Sequence, residues 1–395
     1  MAKFTPMIEQ YLSVKAQVPD AFLFFRLGDF YELFFEDAIK AAKELDITLT
    51  GRDGGADERI PMCGVPYHSA ESYIAKLIEK GYKVAICEQM EDPATAKGMV
   101  RREIVRIVTP GTLMEGKTVG EADNNYIASA VADQSGYGFA VCDITTGELH
   151  VTSLDDEGQL MDELSVYNPA ELLADDPLLV RVKAMLPPNG PSPLCTRYEP
   201  ADPGILEDQF EPGATDGLDG LAKAAVARLI AYLRETQKRS LHHITRLSSY
   251  RTGQFMTMDP FTRRNLELTE TVRDRSRKGS LLWLLDRTVT SMGGRLLKRW
   301  LEKPLLDRQA IEARLEALEC LYNRLMDREE LRETLKQIYD LERLVGRISY
   351  GNANARDLNA LAASLRQIPA FREICLASGS DTLRRLVEQL DECGD

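Results

Sequence analysis

The sequence has few of the residues from which most catalytic and metal centres are built. It contains four histidines and seven cysteines, and no two cysteines have the C-x-x-C spacing of zinc and redox sites. No apolar run reaches the roughly 20 residues that a membrane-spanning helix needs. The N-terminus also lacks the apolar core of a secretion signal. These absences favour a cytoplasmic chain with reduced thiols and without catalytic, cofactor-binding or metal-binding residues.

The chain has an excess of negative charge, but this charge is unevenly distributed. A net charge of −13 over 395 residues disfavours a nucleic-acid partner, because phosphate contacts require lysine and arginine. Residues 120–225 contain 4 basic and 20 acidic side chains, whereas residues 250–310 contain 13 basic and 7 acidic ones. This asymmetry indicates separate modules with separate partners.

The first 110 residues alternate between strand and helix signals, which is typical of a mixed α/β domain. Strands are predicted at 21–27, 45–49, 82–87 and 103–108. One helix is predicted from Pro6 to Ala16, and another ends at Lys80. Because Phe30 and Phe34 are four residues apart, they are predicted to share one face of a further helix that begins after Gly28-Asp29.

The remainder of the chain predicts a second α/β domain followed by helices. Strands are predicted at 126–132, 138–144 and 148–153, with a helix near 159–165. An irregular, proline-rich connection is expected over 187–219, and the pattern is helical from Leu218 onwards. An exposed apolar helix face and a tendency to aggregate are predicted from four apolar residues at helical spacing, namely Ile311, Leu315, Leu318 and Tyr322.

One segment, Gly111–Thr118, matches the nucleotide-binding pattern G-x-x-x-x-G-K-[ST] in every letter. That pattern binds phosphate only where a strand enters it and a helix follows it. Here the following residues, 119–125, have turn chemistry, and the carboxylate of Glu115 would repel phosphate. We therefore interpret the match as fortuitous.

Three blocks of sequence, taken in order, carry a family signal. The first is Phe25-Arg-Leu-Gly-Asp-Phe-Tyr-Glu-Leu-Phe34, and the second is Ile60-Pro-Met-Cys-Gly-Val-Pro-Tyr-His68. The third combines Arg264-Asn-Leu-Glu-Leu268 with Gly279-Ser-Leu-Leu-Trp-Leu-Leu-Asp-Arg-Thr288. In order and spacing these blocks resemble the MutS family of bacterial mismatch-repair proteins, and the resemblance extends over essentially the whole chain.

The resemblance implies a multidomain protein of α/β and all-α parts. Residues 1–115 would form a mixed α/β mismatch-recognition domain, residues 116–250 an RNase H-like α/β connector domain, and residues 251–395 an incomplete helical core and lever region. The family's clamp and its DNA-dependent ATPase, with ATP and Mg, would be absent. The resemblance thus implies a truncated, non-enzymatic chain without cofactors.

Phe30 and Glu32 match the family's Phe-x-Glu motif, which implies that they contact mismatched DNA. A phenyl ring can wedge between base pairs from the minor groove and kink the duplex. The unstacking that this requires is easiest where pairing is already poor, so a mismatch is sensed as deformability. A carboxylate disfavours correctly paired DNA unless it accepts a hydrogen bond from a base or is protonated. Without the resemblance, core packing of Phe30 is the alternative.

The resemblance also places Arg52, Met62 and Arg102 at the DNA. The alternatives are ordinary surface charges for the two arginines and core packing for the methionine. A basic run over residues 263–278 either faces DNA or pairs with acidic surface elsewhere, and a solvated or interdomain face is favoured. Because acidic residues such as Asp53 and Glu103 are interleaved with the basic ones, we expect weak, shape-driven DNA binding.

The expected partners are mismatched double-stranded DNA and, through the connector domain, MutL. The complete family forms homodimers, and this chain is expected to be a monomer or weak dimer, nucleoid-associated and away from membranes. One alternative is a protein-interaction fragment that docks MutL with little DNA affinity of its own. A remote alternative is an RNase H-like nuclease that would use Asp143 at a strand end to bind metal.

Overall fold

The first domain is built on a six-stranded sheet with helices on both faces. The computed structural model describes residues 4–55, 59–91, 98–114, 120, 122–186 and 192–393. The strands lie in the order β3-β4-β2-β1-β5-β6, in which only β1 and β5 are parallel neighbours. They are Ala21–Leu27 (β1), Phe30–Phe34 (β2), Thr50–Arg52 (β3), Ile60–Pro66 (β4), Lys83–Gln89 (β5) and Arg102–Val108 (β6).

Three helices bury the two faces of this sheet. They are Pro6–Lys15 (α1), Phe35–Leu45 (α2) and Ala70–Glu79 (α3). On one face, Ile8 and Tyr11 of α1 pack with Phe25 and Phe34 of the sheet. On the opposite face, apolar residues of α2 and α3 pack against Phe24 and other strand residues. The burial of apolar surface on both faces makes the sheet a rigid platform.

The predicted helix after Gly28-Asp29 is wrong, because residues 30–34 form a strand. Leu27 pairs with Phe30 across a two-residue turn, so the chain reverses into a β-hairpin. The predicted strand at 45–49 is also wrong. Helix α2 continues to Leu45 and ends at Asp46 in the left-handed conformation, with φ of 57°. Strand β4 was not predicted, since Pro61 and Pro66 at its two ends are typical of a break in a sheet.

The second domain contains another six-stranded sheet, in the order β11-β10-β7-β8-β9-β12. Its strands are Ile127–Asp133 (β7), Gly136–Asp143 (β8), Glu148–Leu154 (β9), Glu171–Ala174 (β10), Leu194–Arg197 (β11) and Ser248–Ser249 (β12). Its helices are Glu157–Tyr167 (α4), Asp176–Met185 (α5) and Gly220–Gln237 (α6). The three strands and the helix predicted over 126–165 are confirmed. Helix α6 covers one face of the sheet, and α4 and α5 cover the other.

The last third of the described chain is helical, as predicted. Its helices are Pro260–Asn265 (α7), Leu281–Leu285 (α8), Ser291–Glu302 (α9), Arg308–Asn323 (α10), Leu325–Leu335 (α11), Leu341–Ser349 (α12), Ala355–Leu365 (α13), Ile368–Ala377 (α14) and Asp381–Glu388 (α15). The apolar face of α10 is exposed, as expected, from Ile311 to Tyr322. Among the described residues, no helix has both the length and the apolar character of a membrane span.

A buried ion pair joins the helical region to the second domain. The Lys303 ammonium donates to the Glu163 carboxylate at 2.7 Å, and both side chains are less than a tenth exposed. The same ammonium lies 3.9 Å from the centre of the Tyr250 ring, and the Tyr250 hydroxyl donates to Glu163. Because both charges are shielded from water, each is stabilised mainly by the opposite charge of its partner.

Replacing Lys303 with methionine should destabilise this contact, because Glu163 would remain as a buried charge without its cationic partner. We expect the free energy of unfolding to fall by roughly 3–5 kcal/mol. The double variant Lys303→Met, Glu163→Gln should recover most of this loss. The measurement is urea unfolding followed by the fluorescence of Trp283 and Trp300, the two tryptophans of the chain. A single variant that unfolds at the wild-type urea concentration would contradict the prediction.

Candidate nucleic-acid interface

The hairpin turn between β1 and β2 places Phe30 at the end of the first sheet. Gly28 adopts a φ of 57°, which glycine reaches without steric cost, at the first position of the two-residue turn. Phe30 follows directly and remains 47% exposed, whereas Phe34 of the same strand is fully buried. The alternative that Phe30 packs in the core is therefore wrong, whereas Phe34 is part of the core.

Two residues without a predicted role hold this turn in place. The Arg26 guanidinium lies 3.7 Å from the centre of the Tyr67 ring, and its Nε donates to the Gly28 carbonyl at 2.5 Å. The Tyr67 backbone N–H donates to the Asp29 carbonyl at 2.9 Å. Both residues lie within the sequence blocks that carry the family signal. Their contacts make them positioning residues for the strand that begins at Phe30.

The strand register places the predicted site residues on one face of the sheet. Phe30, Glu32 and Phe34 share this face because alternate residues of a strand point to the same side. Met62 is the cross-strand partner of Phe34, and it lies half-buried against the core beside α1. Arg52 joins the same face from β3. We call this surface, defined by Phe30, Glu32, Arg52 and Met62, the recognition face.

Glu32 and Arg52 form an ion pair on the recognition face. The Arg52 Nη1 atom lies 2.5 Å from Glu32 Oε2, and the side chains are 40% and 17% exposed, respectively. Gly64 is the cross-strand partner of Glu32 on the intervening strand β4. A Cβ atom at position 64 would come within 3.2 Å of the Tyr31 carbonyl oxygen and 3.5 Å of Glu32 Cγ. A side chain at this position would thus crowd the Tyr31 backbone and lie against the Glu32 side chain.

Arg102 contacts the same side of the sheet but is held by the fold. Its guanidinium lies 5.1 Å from the centre of the Phe25 ring, and Phe25 is the cross-strand partner of Glu32. Its Nε donates to the Arg26 carbonyl at 2.8 Å, and its Nη1 donates to Gln10 at 3.0 Å. Burial lowers the pKa of Arg102. The structure thus gives this residue a structural role, and its contact with DNA stays a prediction.

The basic run over 263–278 divides between contacts within the protein and exposed positions. Arg263 donates to the backbone carbonyls of Asp162 and Met258, which ties the run to the second domain. Arg277 pairs with Asp286. Arg264, Arg273 and Lys278 are exposed. The contacts of Arg263 and Arg277 favour the interpretation that part of this run faces other protein surface.

Asp143 has the surroundings of a structural residue. Its side chain is fully buried and accepts hydrogen bonds from the Asn124 amide at 2.8 Å and the Thr145 hydroxyl at 2.7 Å. Burial raises the pKa of its carboxyl group. Within the described ranges, no group of three or more histidine, cysteine, aspartate or glutamate side chains is arranged to hold a metal ion. The structure offers no support for the nuclease alternative.

The nucleotide-binding pattern begins at a residue that packs tightly against the second domain. Gly111 lies in a short 3-10 turn, and its N–H donates to the buried Glu171 carboxylate at 3.3 Å. A Cβ atom at this position would approach Ile127 to 2.7 Å. Residues 115–118 of the pattern lie outside the described residues. An N–H that already donates a hydrogen bond to a carboxylate is poorly placed to bind phosphate.

Comparison with known proteins gives these domains a family. The models for MutS domain I, MutS domain II and MutS domain III match residues 5–117, 125–245 and 261–393, respectively. The three matches follow the order of the two α/β domains and the helical domain that the structure shows, and they define a modular protein of MutS domains I to III. The chain belongs to the MutS family, and the resemblance found in the sequence is confirmed.

Curated relatives align with the chain along its whole length. The DNA mismatch repair protein MutS of Brevibacillus brevis is 53% identical over 396 residues, with 100% of this chain and 45% of the relative covered. The protein of the same name from Bacillus subtilis is 48% identical, with the same shares covered. That of Geobacillus thermodenitrificans is 53% identical, with 43% of the relative covered. The chain thus spans less than half the length of these relatives.

The different burial of two phenylalanines on one strand predicts different effects on stability. Phe34→Ala should lower the free energy of unfolding by about 3–5 kcal/mol, because it opens a cavity beside Tyr11. Phe30→Ala should change it by less than about 1 kcal/mol, because nearly half of this side chain already contacts water. Urea unfolding of both variants measures the difference. Equal losses would show that Phe30 is part of the core.

Proposed function

We propose that this chain recognises mispaired bases in duplex DNA by inserting the Phe30 ring into a weakened base step. The observation that carries the proposal is the exposure of this ring at the end of a strand whose other apolar residues are buried. A phenyl ring exposed at the end of a strand can insert into a base step from the minor groove. The membership of the first domain in MutS domain I supports the same function.

The surroundings of Phe30 suit a wedge. Insertion kinks the duplex and costs a few kcal/mol of stacking, with the smallest cost where the bases pair poorly. A wedge on a mobile loop would lose part of this selectivity, because the loop could move instead of the base pair. Phe30 begins a strand in the sheet, and Arg26 and Tyr67 hold the preceding turn. The ring can therefore transmit force to the DNA.

The charge on the recognition face favours selectivity over affinity. Glu32 disfavours close approach of phosphates, and Arg52 offsets this charge only locally. Few cations remain to release counterions, so non-specific binding should be weak. A matched duplex then gains little on this surface, whereas a mismatched duplex gains the stacking contact with Phe30. Discrimination arises mainly from the deformability of the DNA.

Fluorescence anisotropy with matched and mismatched duplexes tests this proposal. Wild type should bind the mismatched duplex more tightly, and Phe30→Ala should lose about tenfold or more of that affinity, because stacking of an aromatic ring on a base contributes roughly 1–3 kcal/mol. The matched control is Phe261→Ala, which removes a 75% exposed phenylalanine from α7. Equal wild-type affinity for both duplexes would refute mismatch recognition by this chain.

We also propose that the second domain contacts a protein partner, which by family resemblance is MutL. Exposed carboxylates cluster on the irregular connection before α6, among them Glu207, Asp208 and Glu211. A surface of this charge repels DNA and attracts a basic protein surface. The match of residues 125–245 to MutS domain II supports a role separate from that of the first domain.

Neutralising these three carboxylates should weaken the binding of MutL several-fold, with the largest effect at low salt because exposed charges are screened. The control triple variant neutralises Glu319, Glu329 and Glu330, which are exposed in the helical region. Light scattering or anisotropy with purified MutL provides the measurement. If the two triple variants bind alike, the acidic surface of the second domain takes no part in docking.

A further inference from the structure

Helix α6 carries a buried arginine whose hydrogen-bonding groups are satisfied only in part. Arg228 is fully shielded from water, and it is the largest such side chain in the part of the chain that the structure describes. Its Nη1 atom donates to the Ala130 carbonyl at 2.6 Å. Its Nε and Nη2 atoms have no hydrogen-bond partner among the described residues. A buried guanidinium is unfavourable unless an anion offsets its charge and accepts from its N–H groups.

The nearest carboxylates compensate the charge of Arg228 only at a distance. Burial lowers the pKa of Arg228, although the charges of Asp175 and Glu199 act in the opposite direction. Neither carboxylate accepts a hydrogen bond from Nε or Nη2. The second domain therefore contains a buried cation with donors that point to a further partner.

Arg228 lies where the pairing of two parallel strands of the second sheet ends. Strand β7 pairs with β10 up to Ser129 and Leu173, whereas β7 itself continues to Asp133. Ala130, whose carbonyl accepts from Arg228, is the first residue beyond that register. The chain passes from β7 to β8 on one side and returns to β10 on the other. Switch points of this kind, at the carboxyl ends of parallel strands, are typical ligand sites of α/β sheets.

A second buried polar group lies on the same side of the sheet. Ser129 is fully buried, and its Oγ atom has no hydrogen-bond partner within the described ranges. Its cross-strand partners are Ala140 and Leu173, and both belong to the core beneath α6. Because cross-strand partners point to the same side of a sheet, Ser129 also points towards α6. A hydroxyl and a guanidinium thus share the buried layer between α6 and β7.

We propose that Arg228 and Ser129 bind one small monovalent anion, such as chloride, between α6 and β7. The N–H groups of Arg228 and the hydroxyl of Ser129 are donors that an anion accepts. One guanidinium offsets one negative charge, and Asp175 and Glu199 disfavour an anion of higher charge. The bound anion would act as the counter-ion of Arg228 and stabilise the contact between the helix and the sheet.

Close packing of α6 restricts this ligand to a small one. A Cβ atom on Gly138 of β8 would come within 2.1 Å of the Leu221 carbonyl of α6, so the helix lies directly on the sheet. The site is buried and belongs to the second domain, so it is separate from the recognition face. The proposal therefore does not depend on DNA binding.

Hydrogen exchange measured by mass spectrometry tests the site when sodium chloride replaces sodium gluconate at constant ionic strength. Screening of the surface charges then stays the same, and gluconate is too large for the buried layer. Exchange of the α6 and β7 amides should slow as chloride rises and should then saturate. At a chloride concentration of about one hundred times the dissociation constant, the equilibrium constant for opening should fall about a hundredfold. Peptides of the first domain provide the reference and should not respond.

Three variants assign the response to its residues. Arg228→Met should abolish it, because methionine removes the cation and keeps an apolar stem. Ser129→Ala should weaken it several-fold, because one donor is lost at little cost in packing. The matched control is Arg234→Met on the same helix, since Arg234 already donates to Gln209 at 3.1 Å. This control should keep the wild-type response.

A wild-type protein whose α6 and β7 amides exchange independently of chloride would refute the site. The same conclusion follows if the first domain responds equally, or if Arg228→Met responds like wild type. Should Arg228→Met fail to fold, Ser129→Ala decides, because an unchanged response in that variant also contradicts the proposal.

Discussion

The recognition face exists because helix α1 covers only part of one face of the first sheet. Ile8 and Tyr11 bury Phe34, but the start of the same strand carries no such cover and Phe30 remains exposed. Burial of one end makes the strand rigid, and exposure of the other end presents a ring to solvent. A shift of one residue in register would turn Phe30 to the opposite side of the sheet and destroy both features.

Much of the fold follows from local sequence signals, whereas the site depends on long-range pairing. Strand β1 and helix α1 could be predicted because their signals are local: the apolar residues 21–25 favour a buried strand, and a proline at position 6 suits the first turn of a helix. The spacing of Phe30 and Phe34 could not separate helix from strand, because residues four apart share a face in both. The pairing of β1 with β2 makes residues 30–34 a strand. This pairing depends on the hairpin turn, which the spacing of apolar residues does not reveal.

The candidate residues could be identified from the sequence only through the family resemblance. Residue type could suggest that Arg52 and Arg102 carry surface charge, but it could not show that one pairs with Glu32 while the other is held by Gln10 and Arg26. These contacts join strands that are distant in the chain. The roles of Arg26 and Tyr67 were missed for the same reason, since a cation over an aromatic ring leaves no periodic pattern.

The overall charge of −13 is compatible with a DNA-binding surface in the first domain, because most of the net negative charge lies in the second domain. At physiological ionic strength, charges more than roughly 8 Å apart are largely screened, so the acids of the second domain influence the recognition face only weakly. What remains there is a nearly neutral surface made of one ring and one ion pair. A surface of this kind cannot hold straight DNA by charge alone. The selectivity that we propose for it must therefore come from the energy that each duplex requires to bend.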